Sequence, residues 1–463
     1  MTTSVLPPRR PHIAFLVSAI AGLLAACAPP RPDNLVFISL DTTRKDHLSA
    51  YGYPRDTSPR LAHLAAESAV FLNGEAQWTV TNPSHTSMFT GVYPHTHGVG
   101  ENTSTLAEEF ITLTEILDGS GFRTGAFVSG FPLRPKITGI DRGFRVFNAK
   151  FSGQRRNCEQ TTEAALAWLR KLAPEERFFL FVHFYDAHGP FTPKPEYLEM
   201  FRSAEAGPEL DYIPKYQRIT DEAGNDITRL NDFIDRYDAQ LRYQDDCFGQ
   251  ILDAVDLDRT LVTVVADHGE TLGDRERPYN LNHGTSVFAE QTGIPFLIYT
   301  PGRQPGRFPL PVETIDLMPT LLELLEVPSP PGLKIEGQSL VPTIEDLADR
   351  QSQKRLAFST TRIRFRPPHR GYNVKKDTTA HMVRSERWKL IVYEGVHRDY
   401  VELYDLQRDP GETTNVAEEF PDQREALFSA FDAWRKQMPV NEPSPELSPE
   451  DLENLRALGY LGN

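Results

Sequence analysis

Cysteine is scarce in this chain: there are three in 463 residues, and none sits in a Cys-x-x-Cys or Cys/His zinc pattern. Basic residues are also in deficit, 49 Lys and Arg against 64 Asp and Glu, for a net charge of -15. A phosphate backbone wants a basic face, so no nucleic-acid partner is expected. A small anionic substrate is not excluded, because a metal ion and a few Arg and His residues can reverse the field inside one cleft. No internal repeat of fixed period shows up. What is present is an ordinary globular balance, 24% charged and 39% hydrophobic. The length suffices for one large domain plus a smaller one.

The first 27 residues read as an export signal outside the fold. Arg9-Arg10 make a basic start, and the apolar run Ile13 to Ala26 is too short for a comfortable membrane span. It ends in Leu24-Ala25-Ala26-Cys27, which resembles a bacterial lipoprotein cleavage box and would leave Cys27 as the lipidated first residue. An ordinary signal cut near Ala26 is the alternative. Pro29, Pro30 and Pro32 read as a short stiff tether. The expected location is the bacterial cell envelope, anchored to a membrane and facing the periplasm or exterior. Cys158 and Cys247 remain, either paired or as two free thiols.

Beyond the tether, apolar strand-like runs alternate with helical stretches. Asn34 to Leu40, Thr124 to Ser129, Phe178 to Phe184, Thr260 to Ala266 and Ile294 to Tyr299 read as strands. Helices are expected near Pro59 to Ser68, from the Thr81 turn to Gly91, and over Leu113 to Asp118, Glu159 to Leu172, Leu230 to Val255 and Ile315 to Leu325. The alternation predicts an α/β fold, a mostly parallel sheet with helices on both faces. Residues 203–229 read as a polar, irregular insertion. The expected division is a signal over 1–27, a catalytic domain over 28–345, a smaller subdomain over 346–415 and a helical tail over 416–463. His381 to Arg384, Trp388 to Tyr393 and Leu403 to Leu406 read as antiparallel strands of the subdomain.

Two of the strands end on carboxylates, Asp41 after the first and Asp267-His268-Gly269 after the Thr260 strand. Ligands of open α/β sheets collect beyond the carboxyl ends of the strands, so this pair predicts a hard-cation site. Between them in sequence, Thr81-Asn82-Pro83-Ser84-His85 puts a hydroxyl at a helix start, a plausible anion-handling nucleophile. Taken singly, Asp41 also reads as a cap and Asp267 as a turn residue.

Together, Asp41, Thr81 to His85, Asp267-His268-Gly269, Tyr93 to Val99 and Glu402 to Glu412 resemble the sulfatase family of the alkaline phosphatase superfamily. The resemblance runs from about Asp33 almost to the C-terminus. It implies the alkaline phosphatase-like fold with a small C-terminal antiparallel sheet. It also implies metal ligation by Asp41, Thr81, Asp267 and His268, with His188 and His283 on the transferred group and leaving oxygen. Arg44, Ser84 and His85 are the expected substrate contacts. Asp186 with His188 offers an alternative second metal site, and His47, His95 and His97 are lesser candidates.

Departures from the family pattern narrow the chemistry. Family sulfatases have Cys or Ser, converted to formylglycine, where Thr81 stands, and Arg where His85 stands. A secondary alcohol cannot give that aldehyde. Thr42 and His268 stand where many sulfatases have a second Asp and an Asn, which shifts the expected ion from calcium, still possible, toward manganese or zinc. The expected activity is hydrolysis of a sulfate, phosphate or phosphonate ester through Thr81. The substrate would be anionic: a small molecule, glycan or lipid head group. A transferase passing a phosphoethanolamine- or phosphoglycerol-type group to an envelope lipid or glycan is the alternative, and a noncatalytic envelope binding protein the third reading.

Overall fold

The computed structural model describes residues 31–438 apart from 136, 206, 222, 276–280, 346–354, 364–377 and 395–399, together with Glu453 and Ala457. The export signal with Cys27, and the expected helical tail beyond Met438 apart from Glu453 and Ala457, lie outside the described residues. Strands β1 (Asn34–Leu40), β2 (Ala69–Glu75), β3 (Arg123–Val128), β4 (Val146–Asn148), β5 (Phe178–Phe184), β6 (Thr260–Ala266), β7 (Gly293–Tyr299) and β8 (Gly306–Glu313) build the main sheet. Their order is β4-β3-β5-β1-β6-β7-β2-β8. Neighbours pair in parallel except at β7, which runs against both β6 and β2.

The two faces of β1 explain the layers. Val36, Ile38 and Leu40 point into one core, packed by the Pro59–Ala65, Cys158–Leu169 and Leu230–Leu252 helices. Leu35 and Phe37 point into the other, with Met88 and Phe89 of the Thr81–Thr90 helix and Leu317 and Leu321 of the Leu317–Leu324 helix. A central parallel strand buried on both faces has to be apolar throughout, which is why β1, β5 and β6 are so plain in the sequence. Cys158 and Cys247, open in the sequence, are joined as a disulfide across 89 residues, tying two helices of one layer together.

Strands β2, β4 and β8 are not among those the sequence predicts. β4 has only three residues, and β2 breaks register just after Phe71, at Leu72-Asn73. β8 carries Pro309 and Pro311, tolerable only because it is an edge. The C-terminal sheet likewise has four strands, β9 (Ala357–Ile363), β10 (Thr378–Arg384), β11 (Trp388–Tyr393) and β12 (Val401–Asp405), all antiparallel. The Pro421–Arg435 helix covers it with Leu427, Phe431 and Trp434. Buried contacts join the two sheets: Arg384 pairs with Glu75, and Phe358 donates its amide to Glu313 at 2.9 Å.

Candidate metal centre and active site

Because β1 and β6 pair with Leu40 opposite Ala266, the residues that follow them emerge side by side. Asp41 and Asp267 are both fully buried there. The chain turns sharply after Asp41: Thr42 has φ 50, a left-handed conformation that a β-branched residue seldom adopts. The Thr42 amide donates to Asp267 Oδ1 at 3.2 Å, and the Tyr237 hydroxyl bridges the turn, donating to Thr42 O (2.8 Å) and accepting from the Arg44 amide (2.9 Å). Asp267 Oδ1 also accepts from the His268 amide at 2.8 Å. Thr81 opens the Thr81–Thr90 helix, whose axis brings its hydroxyl to Asp41 Oδ2 at 3.3 Å.

This leaves a convergent set of buried polar atoms. Asp41 Oδ1, Asp267 Oδ2 and His268 Nε2 have no hydrogen-bond partner within the protein. Ligand atoms of Asp41, Asp267 and His268 lie within 4.8 Å of one another. The His268 ring donates Nδ1–H to Gly269 O at 2.9 Å, which leaves the Nε2 lone pair facing Asp267 Oδ2 at 3.5 Å. Burial lifts the Asp41 carboxyl to about 7. It raises Asp267 as well, with the neighbouring Asp41 charge adding to the effect. Two adjacent buried carboxylates and an imidazole lone pair fit a divalent cation, which removes the penalty on both charges.

A second buried group, His85, His183 and Asp267, is equally close-set. It is a poor ligand set, because both His85 nitrogens are engaged: Nδ1 donates to Thr81 O at 2.8 Å and Nε2 accepts from Ser39 at 2.7 Å. His183 reaches Asp41 Oδ2 with Nε2 at 3.2 Å. Burial pushes His85 down to about 3 and His183 to about 4, so both are neutral. They brace the helix start and the Asp41 carboxylate from behind.

The remaining candidates divide. His188 and His283 do converge on the centre: His283 stacks on His268 with centroids 4.7 Å apart, and His188 lies 5.0 Å from His283. His283 Nδ1 meets Glu270 Oε2 at 3.1 Å, and burial holds the pair neutral, lowering His283 to about 4 and raising Glu270 to about 8. Three expected substrate contacts, Arg44, Ser84 and His85, are engaged within the protein. The Arg44 guanidinium is buried and gives all its N–H groups to Asp46, Asp274 and Glu270 O, leaving none for an anion. Ser84 donates to Asp267 O at 2.7 Å, bracing a strand end, and His85 is enclosed as described.

Asp186 does not join His188 in a metal-ligating group among the described residues; its Oδ1 accepts from the Cys158 amide at 3.1 Å. His47 pairs with Asp238 and His97 with Ser87, both structural contacts. His95 stacks on Tyr93 and meets Trp434 edge to face. Sequence reasoning missed His183, Glu270 and Tyr237. A lone histidine inside the apolar run Phe178–Phe184 was the available signal for the first, and adjacency to Asp267-His268-Gly269 for the second.

Comparison with known proteins shows the family and the fold. The profile of the Sulfatase family matches residues 33–327, and that of N-sulphoglucosamine sulphohydrolase, C-terminal, matches 284–431. Arylsulfatase K of Gallus gallus is 25% identical over 479 residues, covering 88% of this chain and 85% of its own. Delta 4,5-hexuronate-2-O-sulfatase of Bacteroides thetaiotaomicron is 24% identical over 438 residues, covering 85% and 86%. Among solved structures, the phosphonate monoester hydrolase of Agrobacterium radiobacter superposes with TM-score 0.68 at 20% identity, covering 88% of this chain and 96% of its own. A solved complex with the substrate D-glucosamine-2-N,6-O-disulfate gives TM-score 0.71 at 18% identity, covering 90% and 100%. With its mostly parallel sheet, its carboxylates at neighbouring strand ends and a family match over most of its length, the chain belongs to the sulfatase family of ester hydrolases, on the alkaline phosphatase-like fold.

Proposed function

We propose that this chain hydrolyses phosphonate, phosphate or sulfate esters with the Thr81 hydroxyl as nucleophile, beside a divalent ion held by Asp41, Thr81, Asp267 and His268. The observation that carries the reading is the Thr81 hydroxyl at the first position of a buried helix, bonded to Asp41 amid partnerless Asp267 and His268 atoms. When bound, the ion would supply Lewis acidity and positive charge for the hydroxyl and the ester group. The N–H groups of the helix start favour an anion at the same place. In the step itself, Thr81 Oγ1 bonds to phosphorus or sulfur as the bond to the leaving oxygen breaks. The proton given up by the Thr81 hydroxyl ends on that oxygen, and the neutral imidazoles of His188 and His283, which converge on the centre, can relay it. Water then breaks the threonine ester and restores the hydroxyl. The imidazole of His268 in the set favours manganese or zinc over calcium.

Threonine cannot follow the formylglycine route, in which a hemiacetal expels sulfate. Phosphorus esters, which tolerate displacement of a phospho-threonine by water, are therefore the better substrates. Kinship in fold to two phosphonate monoester hydrolases is compatible with this. Matched aryl esters sharing one leaving group test the point: kcat/KM for the phosphonate or phosphodiester should exceed that for the sulfate by about tenfold or more. A clear preference for the sulfate ester overturns the phosphorus assignment. Export and lipidation at Cys27 belong to the same reading, supported by Leu24-Ala25-Ala26-Cys27 and by a disulfide suited to an oxidising compartment. Changing Cys27 to Ser should release the protein from membranes or block its processing; normal processing with full membrane retention rules the anchor out.

A further inference from the structure

One short turn of the 203–229 insertion reaches the ester centre. Pro214, Gln217 and Ile219 are buried there while Lys215 and Arg218 stay exposed, and Ile219 and Ile227 seat the segment in the core. The Tyr216 hydroxyl donates to Asn282 Oδ1 at 2.9 Å, with Leu281 O 3.2 Å away. Asn282 Oδ1 in turn accepts from the His283 amide at 2.9 Å. Leu281 has φ 49, a left-handed conformation that a leucine seldom adopts. Strain of this kind persists where contacts overdetermine it. Here the Tyr216 hydroxyl stands on one side, and on the other the Thr271 hydroxyl donates to Asn282 O at 2.6 Å and accepts from its amide at 2.9 Å. Gln217, next to Tyr216, is fully buried. Its amide donates to Glu270 Oε2 at 3.4 Å, the oxygen that His283 Nδ1 meets at 3.1 Å. The same amide lies against Gly189, the neighbour of His188, so closely that a Cβ on Gly189 would fall 1.9 Å from Gln217 Oε1.

We propose that the Lys215–Gln217 turn positions the two histidines that relay the proton to the leaving oxygen, with Tyr216 and Gln217 as its positioning residues. The assignment rests on the ester-hydrolase reading of the centre. Tyr216 sets the main chain at His283 through Asn282 and Leu281. Gln217 holds Glu270, the partner of the His283 ring, and bears on the turn that carries His188. One short segment therefore supports both imidazoles. Proton transfer needs its heavy atoms within about 2.6–3.2 Å, so a small drift of either ring disables the relay. Asp41, Thr81 and Asp267 stand on β1, the Thr81–Thr90 helix and β6 instead. Loosening the turn should thus spare metal binding and attack, and slow the protonation of the leaving oxygen. The competing role is plain packing of the insertion, which would make no distinction between leaving groups.

The test compares kcat of the full-length, metal-loaded protein on two aryl esters of the class the wild type prefers, one releasing p-nitrophenol and one releasing phenol. The nitrophenolate is a weak base and departs without a proton, whereas phenolate needs one. Tyr216→Phe keeps the ring and removes only the hydroxyl. Gln217→Met keeps the chain length and removes the amide. Each should slow the phenyl ester about tenfold or more and the nitrophenyl ester about twofold or less, with metal content unchanged. Hydrogen–deuterium exchange gives a readout independent of activity: the amides of 282–284 should exchange faster in Tyr216→Phe than in wild type. An equal loss on both esters, wild-type rates for both variants on the phenyl ester, or unchanged exchange at 282–284 each overturns the proposal. If the wild type turns over no ester yet these amides exchange as expected, the hydrolase reading fails and the brace stands.

Discussion

Thr42 carries a cost that its neighbours justify. A β-branched residue at positive φ is strained by roughly 1–2 kcal/mol, and strain of this kind persists where surrounding contacts overdetermine it. Here the Tyr237 hydroxyl bonds on both sides of the turn, and the Thr42 amide fixes Asp267. The turn in turn aims Asp41. Tyr237→Phe leaves two buried backbone groups without partners, a loss of about 1–3 kcal/mol. Its expected effect is a roughly tenfold weaker affinity for the divalent ion, typical of groups that orient metal ligands. Isothermal titration of metal into the apo protein reads this, and Thr42→Gly, which adopts the turn without strain, should recover part of the loss. A folded Tyr237→Phe protein with wild-type metal affinity refutes the clamp. None of this was legible in the sequence, where Tyr237 is one of many apolar positions on a helix. The full engagement of Arg44 was hidden for a similar reason, since Asp274, which takes two of its N–H groups, lies 230 residues away.

At the scale of elements, what the sequence betrays is what burial on two faces demands. β1, β5 and β6 stand out as unbroken apolar runs, so the residues at their ends could be named. Edge and interrupted strands such as β8 and β2 have no such demand and went unread. The junction from β8 into the Leu317–Leu324 helix shows another hidden device. Glu313 and Asp316 cap the intervening turn reciprocally, and both are buried. Burial first, then the Asp316 charge, raise the Glu313 carboxyl to about 8. A carboxyl raised on folding binds its proton more tightly in the native state. Its stabilising contribution is therefore complete below the unfolded value, near 4.3, and is lost as pH rises through the folded one. Denaturant midpoints should fall between pH 5 and pH 8 more steeply in the wild type than in Glu313→Gln, which keeps the shape without the charge. Parallel slopes in the two proteins contradict the assignment.

The whole molecule brings its chemistry to one end of one sheet. β1 and β6 deliver the carboxylates, the Thr81–Thr90 helix delivers the hydroxyl, and the segment after β5 delivers His188. The C-terminal sheet stands behind, joined through the Arg384 and Glu75 pair. Family and fold class could be read from strand ends and motif order along the chain, and the same strand ends put Asp41 and Asp267 side by side. The bracing imidazoles and the Tyr237 clamp could not, because they arise from contacts between segments remote in sequence. The central claim is that Thr81 itself attacks the ester. Its most direct test is kcat/KM of Thr81→Ala against wild type on an aryl phosphonate ester, at equal metal content. Loss of a covalent nucleophile predicts a fall of about a thousandfold or more, with the fold intact. A Thr81→Ala enzyme within tenfold of wild type would contradict the account.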